Sequence, residues 1–422
     1  MKKSIISSIS LLAINFACYA SFPQNEKKTL YLTPISKPLL SQRDCHSKHH
    51  SVMKTLLNWC VMICFAVAFA ACRTDNSAQL PITQVIHGFD TIRDGAPFVK
   101  SVEILALDSS HPLTAIQKVE IIDSLIVVLE RNSLSVFNRD GSFRNEISRK
   151  GRAETEWIRL DAFASKKDTI ILFDGFQDKL LYFDLKGNHL RTVYSQKGCF
   201  MNISDASFIE DETLFCQNLL FGDDSDIFST YNIGNNTKKA VFTTALKSAD
   251  AAIFTGRHSF LTGKDSVLFV APKSNLIYNY SIKNGNLTGM EIETSKKVLD
   301  NEELKAISDY SPFQLNDDFP GFSSIFEVDG YYVLTFYDMF TTFISKKSKE
   351  AWTIHPGHNA GLFPFLNLIG QDGNKLIGCP EMLSLFLGTY QPSGNDSQGI
   401  FDKLKNLADS GSDNILLFYT VE

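Results

Sequence analysis

The sequence predicts an all-β fold, a six-bladed β-propeller with short inserted helices, and three observations carry that expectation. Aromatic residues are plentiful and lopsided, with 33 Phe against 13 Tyr and 3 Trp, a supply that favours strands. From about residue 98 onward, short apolar runs alternate with Asp, Gly and Asn turns, as hairpin-connected strands require. The runs also recur as one unit down the chain, and self-similarity at a fixed period marks propellers and solenoids.

The first unit reads Asp123-Ser-Leu-Ile-Val-Val-Leu-Glu and then Leu134-Ser-Val-Phe-Asn-Arg-Asp-Gly. The second reads Asp168-Thr-Ile-Ile-Leu-Phe-Asp and then Leu180-Leu-Tyr-Phe-Asp-Leu-Lys-Gly. Weaker copies start at Asp211, Asp265, Asp329 and Asp372, so the leading Asp recurs at intervals of 45, 43, 54, 64 and 43 residues. A period of about fifty residues holds four antiparallel strands and their connections, which is one blade. Six such units predict a ring in which only short, protected strand edges remain. Ser101–Leu107 and Ile415–Val421 are expected to share a blade and lock that ring. Two sandwiches in series would leave the repeated Asp unit unexplained. Two stretches read as inserted helices: Ser295–Asp309, with Val298, Leu299, Leu304 and Ile307 apolar, and the segment in which Ile400, Leu404 and Leu407 recur at helical spacing.

The amino end reads as an address. Lys54 opens an apolar run that closes on Ala70-Ala71 before Cys72. That run is marginal for crossing about 30 Å of hydrocarbon, and its small terminal residues suit a peptidase better than a stop-transfer helix. Residues 53–71 are therefore expected to be a signal peptide, 72–97 a linker and 98–422 the propeller. Residues 1–21 repeat the basic-then-apolar pattern, and two signals in tandem make little sense. Translation is expected to begin at Met53, with residues 1–52 an upstream extension that has no folding role. The segment Phe69-Ala70-Ala71-Cys72 resembles the lipobox of bacterial lipoproteins. That resemblance implies cleavage before Cys72, lipid on its thiol and lasting attachment to the cell envelope, at the outer membrane, on its periplasmic or its surface face.

Charge narrows the partners. With the eight basic and two acidic residues of 1–72 set aside from the 41 and 47 of the whole chain, 33 basic and 45 acidic residues remain, a net −12. Such a surface repels phosphate backbones, so nucleic acid is excluded as a partner. Of eight Cys, only Cys199, Cys216 and Cys379 lie beyond Cys72. An odd number encodes no disulfide framework; a Cys199–Cys216 bridge is permitted, but small apolar residues in strands are the better reading.

Catalytic motifs are missing from the sequence: no Gly-rich phosphate loop, no G-x-S-x-G and no H-E-x-x-H. His355-Pro-Gly-His358 reads as a turn, because Pro and Gly deny the pair a helical presentation and no third ligand lies nearby. Asp223-Asp-Ser-Asp226 lacks the extended loop ending in Glu that calcium favours. No cofactor, metal ligand or catalytic residue is assigned. The segment holding Arg152, Glu154, Glu156 and Trp157 mixes charge with a large aromatic, which suits contact with a carbohydrate or peptide; the alternative is an inter-blade loop whose Trp packs under the next blade.

The body resembles the six-bladed β-propeller lipoproteins of gut Gram-negative anaerobes, related in shape to NHL-repeat and TolB-like propellers. The residues that carry this are Val136-Phe-Asn-Arg-Asp-Gly-Ser-Phe143, Gly151-Arg-Ala-Glu-Thr-Glu-Trp157, Phe183-Asp-Leu-Lys-Gly187 and the closing Asp413-Asn-Ile-Leu-Leu-Phe. Coverage runs over about residues 98–422. The sequence departs from the family loop at Ala153, Glu154 and Thr155, where Gly-Pro-Gly is usual. The resemblance implies fold and envelope location. The expected role is a non-catalytic lipoprotein whose propeller holds a glycan, a peptide or an envelope protein; the alternative is a metal-dependent hydrolase or lyase, lactonase-like, sited in the channel and acting on an extracellular small molecule.

Overall fold

The computed structural model describes residues 80–422 apart from 94, 132, 196–197, 220–225, 245–256, 300–317, 337–339, 355–366, 381–386, 389–391, 393–394 and 413, all within one unit, Ser77–Glu422. The signal segment, Cys72, the His355/His358 turn and Asp223 and Asp224 lie outside the described residues.

Three strands come first: β1 (Ile82–Ile86), β2 (Ile92–Arg93) and β3 (Val99–Ala106). Antiparallel meanders follow. The first is β4 (Ile116–Ile122), β5 (Leu125–Glu130), β6 (Leu134–Asn138) and β7 (Phe143–Glu146). The second is β8 (Leu160–Lys166), β9 (Thr169–Asp174), β10 (Lys179–Asp184) and β11 (His189–Tyr194). The third is β12 (Ile203–Phe208), β13 (Thr213–Asn218), β14 (Asp226–Asn232) and β15 (Thr237–Thr243), and the fourth is β16 (Phe260–Thr262), β17 (Ser266–Val270), β18 (Leu276–Ser281) and β19 (Leu287–Ile292). A parallel pair, β20 (Lys297–Val298) with β21 (Asp318–Phe319), precedes the fifth meander, β22 (Ser324–Val328), β23 (Tyr331–Phe336), β24 (Phe340–Ser345) and β25 (Ala351–Ile354). The last is β26 (Leu368–Asp372), β27 (Lys375–Gly378) and β28 (Ile415–Val421), with helix α1 (Asn395–Asp409) between β27 and β28.

The last meander takes β3 as its fourth strand, with Ile415 opposite Ala106 and Thr420 opposite Ser101. The two ends of the body therefore share one sheet, as their sequences predict. The described strands thus form antiparallel units of four strands, six by the course of the chain, in a β-propeller fold, the last and first being joined through β26 and β4 into one eight-stranded sheet. Each leading Asp falls in, or at the edge of, the hairpin that joins a unit's first two strands. Asp123 sits there in the left-handed region at φ 54, a conformation that Asp tolerates better than most residues.

The apolar core lies between the units rather than at the axis. Val127 and Val136 of the first unit meet Phe163 and Leu172 of the second; Phe173 and Leu180 meet Ile203 and Leu214 of the third. Phe215 and Phe228 meet Phe260 and Phe269 of the fourth, and Val270 and Ile277 meet Ile325 and Leu334 of the fifth. Val333 and Phe343 then meet Leu376 and Leu417 of the sixth. The circle closes where Ile377 and Leu416 meet Ile126 and Val128. Because each unit buries both faces, its middle strands are largely buried; all six residues of β5 are. This is where the Phe supply goes, for example the Phe89, Phe319, Phe322 and Phe336 group with ring centroids 4.9 to 6.1 Å apart.

Two expectations are corrected. The linker expected over 72–97 is already folded from Ile82: β1 runs parallel to β19 and β2 parallel to β25, so the segment covers two outer edges before β3 completes a third unit. Of the helix expected over Ser295–Asp309, only residues 295–299 are described and these are extended; residues 300–309 lie outside the described residues. Asp90 accepts hydrogen bonds from the Ser295 backbone N–H (2.6 Å) and hydroxyl (2.8 Å), and β20 then pairs with β21, which overrides local helix propensity. The later helix is present as α1, with Leu404 fully buried. Cys199, Cys216 and Cys379 are free thiols in buried positions, and burial pushes the Cys216 thiol up to about 12.

Candidate functional site in the central channel

The first strands of the six units, β4, β8, β12, β16, β22 and β26, stand around the axis. β26 pairs with β4 in parallel, and single bonds link others: Ser165 Oγ donates to Glu120 Oε2 (2.8 Å), Ser207 Oγ meets Thr262 Oγ1 (3.1 Å), and the Glu327 N–H donates to Gln371 Oε1 (2.9 Å). Between them lies a cavity of about 290 Å³ to which every unit contributes: Lys118 and Glu120, Ser165, Asp205 and Ser207, Phe260 and Thr262, Phe326, and Gln371.

At its centre is Lys118, whose side chain is 7% exposed and whose Nζ lies 2.8 Å from both Glu120 Oε1 and Asp205 Oδ1. The same ammonium stands 4.9 Å from the centre of the Phe163 ring. Burial alone would push Lys118 down, but the carboxylates of Asp205 and Glu120 outweigh it and hold the ammonium above the ordinary lysine value. Burial lifts the Asp205 carboxyl, and Lys118 opposes that lift. The order of β4 puts Lys118 and Glu120 on one face of the strand, and the order of β12 does the same for Asp205 and Ser207.

Next to this triad, Arg257 Nη1 donates to two backbone carbonyls, Asp161 O (2.8 Å) and Ser204 O (3.2 Å), tying the second unit to the third. Burial pulls its guanidinium down, against Asp205 and Asp161. Asp161 is in turn held by Arg159, with Nε 2.7 Å from Oδ1. His258 donates from Nε2 to the Ile369 carbonyl (2.6 Å). A carbonyl only accepts, so Nε2 carries a proton, which in the uncharged ring leaves Nδ1 as an acceptor. Burial first, then the charges of Lys118 and Arg257, pull this imidazole down to about 3.

A pH dependence follows from His258. Its folded value lies below the unfolded 6.5, so its contribution to stability is complete above pH 6.5 and is lost as pH falls towards 3. His258→Gln keeps an N–H donor for Ile369 and cannot charge. Urea midpoints between pH 7 and 4.5 are expected to fall less steeply for the variant than for the parent; equal slopes would remove His258 from the acid response.

The loop expected to contact a ligand is placed elsewhere, and its parts behave differently. Trp157 is 2% exposed and packs between the first two units against residues such as Ile122 and Phe163. The large aromatic is thus core, the packing alternative, because β4–β7 and β8–β11 need a filler where they meet. Glu156 works within the loop: it accepts from the Ala153 N–H (3.0 Å) and pairs with Arg149 (2.7 Å), and these two bonds hold its carboxyl below the ordinary range. Arg152 and Glu154 are exposed. Beneath the loop, the buried Lys179 ammonium donates to the carbonyls of Ala153, Glu154 and Glu156, the last at 2.6 Å.

The channel residues carry no motif, yet a signal for them was present. The residue three before the leading Asp is Glu120, Ser165, Thr262 and Phe326 in four units, and all four line the cavity. Among the described residues, no group of three His, Cys, Asp or Glu side chains is arranged to hold a metal ion, and no helix is long and apolar enough to cross a membrane.

Comparison with known proteins gives one family and two informative structures. The profile of a family described as a domain of unknown function, DUF4934, matches residues 96–383. A solved structure from Bacteroides fragilis NCTC 9343, described as an exported protein, is similar with a TM-score of 0.59 at 18% identity, covering 80% of this chain and 99% of that one. A member of the DUF4221 family from Bacteroides vulgatus is similar with a TM-score of 0.51 at 9% identity, covering 77% and 97%. At these identities the likeness is one of fold. No curated protein matches.

Proposed function

The chain belongs to the DUF4934 family, and from that premise we propose that it is a lipid-anchored, non-catalytic binding protein of the cell envelope whose propeller holds its ligand in the mouth of the central channel. One observation carries the reading: a cavity walled by all six units whose charged groups are already partnered within the wall. A nucleophile or general base has to be free to exchange a proton with substrate. Here Lys118 is bridged by two carboxylates, and His258, with Nε2 on a backbone carbonyl, is drawn down by burial and by Lys118 and Arg257 to where it takes up a proton poorly.

The metal-dependent alternative fits this wall poorly, because an ammonium stands between the two carboxylates that would be the natural ligands. Envelope location rests on the Phe69-Ala70-Ala71-Cys72 sequence and is supported by the exported B. fragilis protein of similar fold. The finer kinship to NHL and TolB-like propellers rests on the motif residues alone.

Two measurements test the proposal. Cells grown with an alkyne-tagged fatty acid are expected to label the parent and not Cys72→Ala; labelling that survives the substitution rejects the anchor. In a thermal-shift screen of sugars, peptides and small metabolites, at least one compound is expected to stabilise the parent but not Ser207→Trp, which fills the cavity. Ligands that bind both forms equally would move the site out of the channel.

A further inference from the structure

We infer that the channel cavity selects an uncharged, polyhydroxylated ligand of about one sugar ring; this rests on the binding reading and names its ligand class. The first argument is charge. In the cavity wall the Lys118 ammonium is engaged with the carboxylates Glu120 and Asp205; behind it Arg257 is bound to backbone carbonyls and Asp161 to Arg159, and His258 in the wall donates to a backbone carbonyl and is held far below its ordinary value by burial and these cations. Among the described residues of the wall, a charged ligand would meet no carboxylate or ammonium that is not already engaged, so its desolvation would go largely uncompensated.

The second argument is hydrogen bonding. Ser165, Ser207, Thr262 and Gln371 line the wall with hydroxyl and amide groups, Ser165 donating to Glu120, Ser207 and Thr262 meeting each other, and Gln371 accepting from the Glu327 N–H while its amide nitrogen remains a donor. Hydroxyls that can donate and accept, facing others of the same kind, suit a ligand rich in hydroxyls. Behind them, Gln217 is fully buried with neither end of its amide bonded within the protein, and it is the direct cross-strand neighbour of Asp205. Directly opposed residues share a sheet face, so this neutral donor–acceptor pair lies on the same face of the third unit as Asp205, one strand further out.

The third argument is size and shape. About 290 Å³ is at or below the lower end of the roughly 300–1,000 Å³ typical of drug-sized ligand sites, which favours one ring over a peptide. Phe260 and Phe326 in the lining supply apolar surface for the C–H face of such a ring.

Calorimetric titration of the parent with D-glucose, D-galactose and D-mannose, and with D-glucuronic acid and D-glucosamine as charged analogues of equal size, tests the inference. At least one neutral hexose is expected to bind saturably and at least tenfold more tightly than either charged analogue. Ser207→Ala and Gln371→Leu, checked for an unchanged circular dichroism spectrum, are expected to weaken it at least tenfold. Equal or tighter binding of a charged analogue overturns the selection argument, and sugar binding that survives both substitutions overturns the site. If no sugar binds while the library screen yields a compound blocked by Ser207→Trp, the ligand class is wrong and the binding proposal stands. If that screen also fails, both fall.

Discussion

Lys118→Met is expected to destabilise the propeller by about 3–5 kcal/mol, the usual consequence of removing one partner from a buried ion pair. The substitution keeps the volume and apolar stem that pack near Phe163, so it isolates the ammonium. What remains is Asp205, 3% exposed, and Glu120, with no cation between them. Their mutual repulsion and desolvation favour protonation. The loss should therefore be largest at neutral pH and shrink as acid neutralises the carboxylates, the opposite of the parent's trend from His258. Adding Asp205→Asn and Glu120→Gln to Lys118→Met should recover most of the loss, since a neutral hydrogen-bonded wall has no charge to compensate. Urea unfolding of the parent, the single variant and the triple variant at pH 5 and 7.5 decides it. A single variant within about 1 kcal/mol of the parent would mean that the channel is wet enough to screen the triad.

Gly370→Ala should be the most damaging single-methyl change in the channel wall, at about 3 kcal/mol, the upper end for overpacking. Gly370 pairs with Val119 where β26 lies parallel to β4, the join between the sixth and first units. A Cβ added there would stand 2.4 Å from the Val119 carbonyl oxygen. Backbone, unlike a side-chain tip, has no rotamer by which to yield, so two units must separate locally beside Lys118. Gly373→Ala, in the neighbouring turn, is the control: its added Cβ meets nothing within 4 Å, although φ is +59. That variant should lose only the roughly 1–2 kcal/mol of a left-handed alanine. Thermal and urea midpoints of the pair measure the difference; similar losses would show that the join between units yields as easily as a turn.

Much of the architecture was readable before the fold was known, and the channel was not. The repeated Asp is a local signal, because a tight hairpin demands particular backbone angles from residues adjacent in sequence; Asp123 at φ 54 shows that demand. The closing pair β3 and β28 was readable too, since apolar strands at the two ends of a repeat have only each other to complete a sheet. Trp157 was ambiguous, because an aromatic beside charged residues looks the same whether it faces solvent or the neighbouring unit. Residues 295–299, the described start of the expected helix, are extended, because the strand partner of Lys297–Val298 begins only at Asp318 and leaves no local trace.

The sequence by itself determined the strand-rich class, the repeat and the pairing of the chain ends, all of which follow from periodicity and turn chemistry along the chain. Only the tertiary structure decided that Lys118, Asp205 and Arg257 share one network. Their separation in sequence, 87 residues between Lys118 and Asp205, spans whole units, and nothing in the local pattern of any of them requires the others. Ring closure brings the first strands together at the axis. There the low-dielectric surroundings turn scattered charges into a compensated wall, and that compensation sets what the channel can accept.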